Sequence, residues 1–171
     1  MPIAETNRLL ISKITLGDAS HFLKLVNSPK WLKFIGDRNL KTVEDAKNYL
    51  KNGILKSYAT FGFGFYKLQL KANHNVFVGI CGLIKREQLD DVDIGFALLP
   101  AFEGQGFGFE ASQAVMKLAE EKFKLKRMVA ITLPSNMNSI KLLEKLGMHF
   151  EKRIKPFEDG QELMLFAKTL N

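Results

Sequence analysis

The sequence predicts an α/β fold (α+β in some schemes), with helices on both faces of a twisted, mixed and mostly antiparallel sheet of about seven strands. Two observations support this prediction. Short apolar strands alternate with amphipathic helical segments, and a series of strands joined by turns precedes a long helix that leads to another strand. No linker, repeat or low-complexity tract interrupts this pattern, so we expect residues 1–171 to form a single domain.

The first third of the chain is predicted to contain one strand and two helices. Residues 8–13 form an apolar strand, and Asp18 opens an amphipathic helix that is expected to end near Pro29. Thr42 begins a capping box, which indicates a second helix running to about Lys56.

The middle of the chain predicts three antiparallel strands. They cover residues 61–70, 76–85 and 92–99, and the turns between them cover 71–75 and 88–91. Residues 61–66 read Phe-Gly-Phe-Gly-Phe-Tyr, which indicates a strand with one heavily buried face.

The last third returns to alternating elements. An amphipathic helix with Val115 and Leu118 on its apolar face follows a glycine-rich loop. Further elements are a strand over residues 127–133, a helix over 138–146, and a strand pair over 149–154 and 162–167.

Alternate glycines at Gly104, Gly106 and Gly108 lie between an apolar strand and the long helix. Such a backbone can bring several N–H groups to one point, and the helix adds its free first-turn donors and the positive end of its dipole. The loop therefore predicts an anion site. Phe109 stands where the dinucleotide fingerprint needs glycine or alanine, and no Gly-Lys-Ser/Thr follows, which argues against NAD and ATP.

A second motif covers residues 133–148 and contains Asn136, Ser139 and Gly147. With the loop segment Pro-Ala-Phe-Glu-Gly-Gln-Gly-Phe-Gly-Phe-Glu-Ala at 100–111, it resembles the GCN5-related N-acetyltransferases (GNAT), specifically the Rim-type branch of ribosomal-protein alanine N-acetyltransferases.

The resemblance extends over nearly the whole chain. Residues 6–11 (Thr-Asn-Arg-Leu-Leu-Ile) are similar to the opening strand of that branch, 78–83 to its third strand and 93–100 to its fourth. It implies acetyl-coenzyme A as co-substrate, with the pyrophosphate on the glycine loop and the pantetheine arm between the splayed fourth and fifth strands. The coenzyme-binding residues that it implies are Ala97, Leu98, Leu99, Glu103, Gly104, Gln105, Gly106, Phe107, Gly108, Phe109, Asn136 and Ser139.

Acetyl transfer to an amine needs an unprotonated amine, a donor to the developing oxyanion and a proton for the leaving thiolate. The resemblance assigns the donor to a main-chain N–H of the Leu98–Leu99 segment. Asp93 is the first candidate for the base, acting through water, and the alternative is a solvated charge on an exposed strand face. Further candidates, or plain surface charges, are Glu87, Asp90 and Asp91.

Other branches carry a tyrosine as the acid, and Leu143 occupies that position here. The resemblance offers Ser139 as the candidate acid in its place. Asn136 would bond the pantetheine amide or the incoming amine, and it is equally suited to cap the following helix. Lys141 or Lys145 would reach the 3′-phosphate of the coenzyme.

Two loop positions depart from the wider pattern. Glu103 replaces a Gln or Arg, so we expect its side chain to point away from the phosphates while the loop amides bind them. Gln105 replaces a common Lys or Arg. In the resembling family the second strand borders the acceptor site, so Phe65 or Tyr66 is an alternative lining residue there, and the sequence does not choose between them.

The formal net charge is +7 and the pI about 9.5, but the lysines are spread over all helices and form no aromatic–basic nucleic-acid motif. We therefore expect no specific nucleic-acid partner, whereas a basic surface favours the anionic coenzyme and acidic partners such as ribosomal complexes. No signal-peptide pattern or span-length apolar stretch is present, which predicts a cytoplasmic protein without a membrane partner.

The single cysteine, Cys81, is predicted to be a buried packing residue, and His21, His74 and His149 lie in separate elements, so no metal site is expected. The favoured acceptor is a peptide or protein N-terminal α-amine, or a small amino compound. Alternatives are an acetyl-coenzyme A-binding protein without turnover and a basic RNA-binding module. Both a monomer and a homodimer are compatible with the sequence.

Overall fold

Eight strands pair into one open sheet in the computed structural model, which describes all residues from 1 to 171. The strands are β1 (Pro2–Glu5), β2 (Leu9–Lys13), β3 (Phe65–Leu70), β4 (Val76–Ile84), β5 (Asp93–Leu98), β6 (Arg127–Thr132), β7 (His149–Ile154) and β8 (Leu163–Thr169). Their order is β1-β2-β3-β4-β5-β6-β8-β7. Only β5 and β6 run parallel, which confirms the predicted mixed, mostly antiparallel sheet.

Six helices accompany the sheet. They are α1 (Ala19–Val26), α2 (Pro29–Phe34), α3 (Val43–Asn52), α4 (Ile54–Phe61), α5 (Phe107–Glu121) and α6 (Met137–Lys145). None of them has both the length and the apolar composition that crossing a bilayer would require.

Two apolar clusters cover the two faces of the sheet. The larger cluster packs α5 and α6 against side chains that include Cys81, and the smaller one packs α1 and α3 against side chains that include Ile80. Ile80 and Cys81 are neighbours on β4, and successive side chains of a strand point to opposite faces. The prediction of helices on both faces is therefore confirmed.

The sheet has one strand more than predicted. β1 is only four residues long and partly exposed, and it pairs with β2 at the edge of the sheet. A strand this short lacks the apolar alternation that makes a strand recognisable in a sequence.

Residues 61–64 were predicted to begin a strand, and this is wrong, because they end a helix. α4 runs to Phe61, and Gly62 closes it in the left-handed conformation with φ +81°. Glycine adopts this conformation without the steric cost that a side chain meets. Phe63 turns into the core against Phe123, with ring centroids 5.4 Å apart, and β3 begins only at Phe65.

The predicted helix boundaries also need correction. The helix expected to reach about Lys56 divides at Gly53 into α3 and α4, although its predicted cap is confirmed by a 3.0 Å bond from the Asp45 N–H to Thr42 Oγ1. Pro29 begins α2 instead of ending the preceding segment. Proline suits the first helical position, where its missing N–H would have no intrahelical partner.

Candidate functional site

A cleft opens where β5 and β6 separate. The two strands pair only at Asp93 and Val129, and they diverge toward the end of β5. A cavity of about 900 Å³ occupies this gap and extends along the glycine loop, α6, α2 and α4. A parallel ladder that stops after one residue pair leaves backbone groups of β5 without strand partners. The cleft therefore offers hydrogen bonds to an extended ligand.

One main-chain donor of β5 can be assigned to the cleft. The N–H of Leu99 donates to the Val78 carbonyl at 2.9 Å, on the β4 side. Successive N–H groups of a strand point to opposite neighbours, so the N–H of Leu98 faces the gap toward β6. Of the two positions that the sequence left open for the oxyanion donor, Leu98 therefore has the suitable direction.

The glycine loop leads directly into α5. Gly104 and Gly106 adopt left-handed conformations with φ +74° and +84°, and Gly106 is the N-cap of the helix. The first hydrogen bond of the helix runs from the Glu110 N–H to the Gly106 carbonyl at 3.0 Å. The N–H groups before Glu110 lack intrahelical partners and are donors for an anion.

The chain just before β2 holds this loop in place through Glu110. Thr6 Oγ1 donates to Glu110 Oε1 at 2.6 Å, and Arg8 Nε donates to Oε2 at 2.7 Å. Arg8 Nη1 also donates to the Gln105 carbonyl at 2.9 Å, and its guanidinium lies 4.1 Å from the ring centroid of Phe107. Partial burial raises the pKa of Glu110, but the hydrogen bonds from Thr6 and Arg8 outweigh it, and the pKa lies below its ordinary value.

Asp93 lies at the other end of β5 from the loop. It is 1% exposed, lines the cavity, and accepts a hydrogen bond from Arg86 Nε to Oδ2 at 3.0 Å. Its Oδ1 atom has no partner. Burial raises the pKa of Asp93 above its ordinary value, although the charge of Arg86 acts in the opposite direction. The alternative of a solvated charge on an exposed strand face is therefore wrong.

The other candidate carboxylates do not reach the cavity. Asp91 pairs with Arg127 at 3.1 Å, while Glu87 and Asp90 are exposed. Of these acidic side chains, only that of Asp93 lines the cleft.

Glu103 of the glycine loop has a cationic partner on another element. Its carboxylate lies 2.9 Å from Lys30 Nζ of α2. This ion pair offsets the negative charge beside the proposed phosphate site and joins α2 to the loop. No local sequence pattern predicts this contact, because it depends on how α2 packs.

Residues 8–149 match the acetyltransferase (GNAT) domain family, which is most of the chain. The chain belongs to the GNAT acetyltransferase family.

Individual relatives agree with this assignment. YnaD of Bacillus subtilis, an uncharacterized N-acetyltransferase, is 25% identical over 146 residues, which are 85% of this chain and 82% of YnaD. YkkB of Bacillus subtilis is 31% identical over 81 residues, which are 46% of this chain and 47% of YkkB. The structure of RimL, the ribosomal L7/L12 alpha-N-protein acetyltransferase, in complex with coenzyme A has a TM-score of 0.79 at 18% identity and covers 99% of this chain and 98% of that chain. This last likeness shows the fold.

In this GNAT protein, the second sequence motif caps α6. Asn136 Oδ1 accepts a hydrogen bond from the Ser139 N–H at 3.3 Å, as a capping residue does, and both residues line the cavity. The cap uses only the backbone of Ser139, so its hydroxyl is not committed to it. Leu143 is 1% exposed and brings no hydroxyl group to this wall of the cleft.

Three of the residues proposed to bind the coenzyme lie outside the cavity lining of this GNAT protein. They are Leu99, Gln105 and Phe107. Phe107 is 3% exposed in the core below Arg8, and Gln105 Nε2 donates to the Ala101 carbonyl at 2.9 Å. Their side chains therefore shape the loop rather than the cavity wall. The residues that do line the cavity are Ala97, Leu98, Glu103, Gly104, Gly106, Gly108, Phe109, Asn136 and Ser139.

The open choice between Phe65 and Tyr66 is settled by strand alternation. Phe65 is half-buried and lines the cavity. Tyr66 is 1% exposed in the core, stacked on Tyr58 with ring centroids 5.8 Å apart, and burial raises its pKa to about 12. Phe65 is thus the aromatic residue of β3 at the site.

The residues that sequence reasoning missed come mainly from α2 and from the end of β4. Trp31, the single tryptophan of the chain, lines the cavity and is 6% exposed, while its Nε1 has no partner. Arg86 follows β4 and pairs with Asp93. The uniqueness of Trp31 was the only available signal, since α2 itself was not predicted.

Cys81 is fully buried, and burial raises the pKa of its thiol to about 12. The predicted packing role is therefore the one that its surroundings support. No group of three or more His, Cys, Asp or Glu side chains is arranged to hold a metal ion.

Proposed function

We propose that this GNAT protein transfers the acetyl group of acetyl-coenzyme A to a primary amine. The proposed acceptor is the α-amine of a peptide or protein N-terminus, or of a small amino compound. One observation carries the proposal: the cleft runs from the glycine loop, along the unpaired edge of β5, to the buried carboxylate of Asp93.

The residues of the cleft fit the coenzyme. The loop amides and the first turn of α5 suit its pyrophosphate, and the edge of β5 suits the amides of its pantetheine arm. Lys141 and Lys145 of α6 line the cavity, and Lys145 Nζ lies 4.2 Å from the ring centroid of Phe109, beside the loop. When bound, acetyl-coenzyme A supplies an activated acetyl group, and the coenzyme leaves as its thiol.

Three groups of this chain are proposed to assist the transfer. The Leu98 N–H donates to the acetyl carbonyl oxygen, where negative charge develops. Asp93 Oδ1 accepts the proton of the amine, directly or through water, and its raised pKa makes it a stronger base than an ordinary aspartate. The Ser139 hydroxyl donates a hydrogen bond to the leaving sulfur and passes a proton to it, and the hydroxyl regains its proton from solvent.

The acceptor class follows from the cost of deprotonation. At neutral pH, freeing an α-amine with a pKa of about 8 costs about 1.4 kcal/mol, whereas a lysine side chain with a pKa of about 10.4 costs about 4.6 kcal/mol. A single carboxylate base is better matched to the smaller cost. The fold shared with RimL, which acts on a protein α-amine, supports the same class.

Calorimetric titration with acetyl-coenzyme A tests the first part of the proposal, with desulfo-coenzyme A, ATP and NAD as comparison ligands. We expect micromolar affinity for the two coenzyme A compounds alone. Absence of coenzyme binding would contradict the proposed function.

Thiol release with a panel of amines tests turnover. A second candidate function is binding of acetyl-coenzyme A without transfer of the acetyl group. Leu143 supports it, because this residue replaces the tyrosine that serves as the acid in other branches. Amine-dependent thiol release would exclude this candidate, and tight binding without release would favour it.

A further inference from the structure

We propose that the acceptor carries a carboxylate or phosphate group close to its amine. This inference rests on the proposed acetyl transfer and concerns the end of the cavity around Asp93. It follows from the balance of charge in the cavity and from two buried polar atoms that have no partner.

Seven cationic side chains but only two carboxylates line the cavity. Both carboxylates are already paired: Glu103 with Lys30 at 2.9 Å, and Asp93 with Arg86 at 3.0 Å. The other five cations form no salt bridge. The cavity therefore presents excess positive charge to whatever fills it.

The coenzyme accounts for only part of this charge. Lys141 and Lys145 belong to α6, and Lys145 lies beside Phe109 of the glycine loop, where the coenzyme phosphates are proposed to bind. Lys85 lies at the opposite end, because it directly follows Ile84, the partner of Asp93 in the β4–β5 ladder. The six residues of β5, a length of about 17 Å, separate Asp93 from the loop end.

Lys56 is another cation of the cavity lining. It lies on α4, whose C-terminus leads into β3, and the first residue of β3, Phe65, also lines the cavity. Phe65 pairs with Gly82 of β4, and Gly82 pairs with Gly95, two residues from Asp93. Arg38, between α2 and α3, adds a third cation without a carboxylate partner to the lining. Of the three, Lys85 donates hydrogen bonds from Nζ to the Leu89 and Asp90 carbonyls at 3.0 and 3.3 Å.

Two buried polar atoms in the cavity wall have no hydrogen-bond partner within the protein. Asp93 Oδ1 is an acceptor without a donor, and Trp31 Nε1 is a donor without an acceptor. The residues are 1% and 6% exposed, and both line the cavity. Buried polar groups are normally hydrogen-bonded, so an unpaired atom in a cavity wall indicates a ligand that completes it. An amine would satisfy Asp93 Oδ1. An oxygen acceptor, from the acceptor molecule or from the coenzyme, would satisfy Trp31 Nε1, since the neighbouring Lys30 joins α2 to the glycine loop.

An acceptor of this kind also agrees with the remaining cations. A carboxylate or phosphate near the amine would be attracted by Lys56, Lys85 and Arg38, whereas the additional ammonium groups of a polyamine would be repelled. A small amino acid or phosphoamine and an acidic N-terminal peptide share this chemistry. Separate experiments distinguish these two sources.

The test compares matched acceptors that differ in one charge. The small-molecule pairs are phosphoethanolamine with ethanolamine and glycine with glycinamide, and the peptide pair is Ala-Glu-Ala amide with Ala-Gln-Ala amide. Rates are compared at equal concentrations of unprotonated amine. We expect kcat/KM to be about tenfold higher for the anionic member at low salt, and the ratio to shrink as salt screens the charges. A preference for the anionic member that is seen only in the small-molecule pairs, or only in the peptide pair, identifies which of the two kinds of acceptor the protein uses.

Variants connect the preference to the named cations. Lys56→Met, Lys85→Met and Arg38→Met are each expected to lower the ratio about twofold to threefold, and the triple variant is expected to bring it near one. Lys51→Met is the matched control, because Lys51 is an exposed lysine of α3 that does not line the cavity. This control is expected to retain the wild-type ratio.

Binding of the same pairs to the coenzyme A-saturated protein provides a second measurement that needs no turnover. Equal rates or equal affinities within every pair would overturn the inference and leave the transferase function intact. A preference for the anionic member that the triple variant retains would also overturn it. Failure of acetyl-coenzyme A itself to bind would instead contradict the proposed function.

Discussion

The surroundings of two carboxylates shift their pKa values in opposite directions. At Asp93, burial dominates and raises the pKa, and one oxygen remains without a partner. At Glu110, hydrogen bonds from Thr6 and Arg8 outweigh partial burial and lower the pKa. The raised pKa suits Asp93 to exchanging a proton, and the lowered pKa keeps Glu110 ionised so that it can hold the loop.

Replacing Asp93 with Asn is expected to lower kcat/KM about 100-fold, because the amide cannot accept the proton of the amine. In the wild type, kcat/KM is expected to fall as pH drops through the raised pKa of Asp93, since the protonated acid is no base. A pH–rate profile of Asp93→Asn should lack this acidic limb and retain the one due to the amine. The control is Asp91→Asn, which alters a surface pair with Arg127; an equal loss in both variants would refute the assignment.

Ser139→Ala separates catalysis from helix capping. The cap on α6 uses the Ser139 backbone N–H, so removal of the hydroxyl is expected to leave the melting temperature unchanged while kcat falls at least about tenfold. Asn136→Ala, in contrast, removes the cap and should cost about 1 kcal/mol of stability. Thermal unfolding and steady-state kinetics on both variants check this, and a wild-type kcat for Ser139→Ala would exclude the proposed acid.

At the scale of elements, the glycine loop depends on the distant segment just before β2. Thr6 and Arg8 lie about a hundred positions before Glu110 in sequence, yet they bond its carboxylate and thereby hold the first turn of α5. The two family-like motifs at residues 6–11 and 100–111 are therefore halves of one anchored structure.

Gly106→Ala is expected to weaken acetyl-coenzyme A binding about tenfold. The residue has φ +84°, where a side chain costs about 1–2 kcal/mol, and a Cβ would lie 3.3 Å from Arg8 Nη2. Gly160→Ala is the matched control, with φ +71° and no atom within 4 Å of its Cβ, in the turn between β7 and β8. Both variants should lose similar stability in urea, but only Gly106→Ala should bind the coenzyme less tightly by calorimetry.

Glu110→Gln is expected to lower stability at neutral pH by about 1 kcal/mol, because its hydrogen bonds lose their charge. The folded-state pKa of Glu110 is below its ordinary value, so its ionised form stabilises the fold above about pH 4.3, and this contribution is lost as pH falls through the lower folded-state value. Urea unfolding from pH 7 downward should show the two proteins converging. A difference independent of pH would contradict the ionic role.

At the scale of the whole molecule, the cleft exists because the sheet changes from antiparallel to parallel pairing at one place. β5 and β6 pair at a single position, and α5 connects them across the sheet. The cleft walls belong to separate strands and helices and come together only in the folded protein, so a ligand that binds the cleft should stabilise the entire fold.

Acetyl-coenzyme A at 100 times its dissociation constant is expected to add about 2.7 kcal/mol to the unfolding free energy. For a domain of this size, the melting temperature should rise by about 5–10 °C. Thermal unfolding with and without ligand measures this shift, with ATP as the comparison. An equal shift with ATP would indicate general anion binding instead of recognition of the coenzyme.

Much of this fold was predictable because its periodic elements are local. The long helix α5, the strands β4 to β6 and the cap at Thr42 follow from patterns within a few residues. The wrong predictions at 61–64 and Pro29 fall where glycine and proline have two compatible uses. At residues 61–64, the end of α4 and the packing of Phe63 against Phe123 decide between these uses, and at Pro29 the start of α2 decides.

By itself, the sequence determined the fold class, the position of the glycine loop before the long helix and the resemblance to GNAT enzymes, because each depends on the order and spacing of nearby residues. Tertiary structure alone decided which side chains meet. It buried Asp93 and paired it with Arg86, paired Glu103 with Lys30, and left Trp31 Nε1 unpartnered in the cavity. Such contacts join residues from separate elements, and only packing sets their distances and their burial.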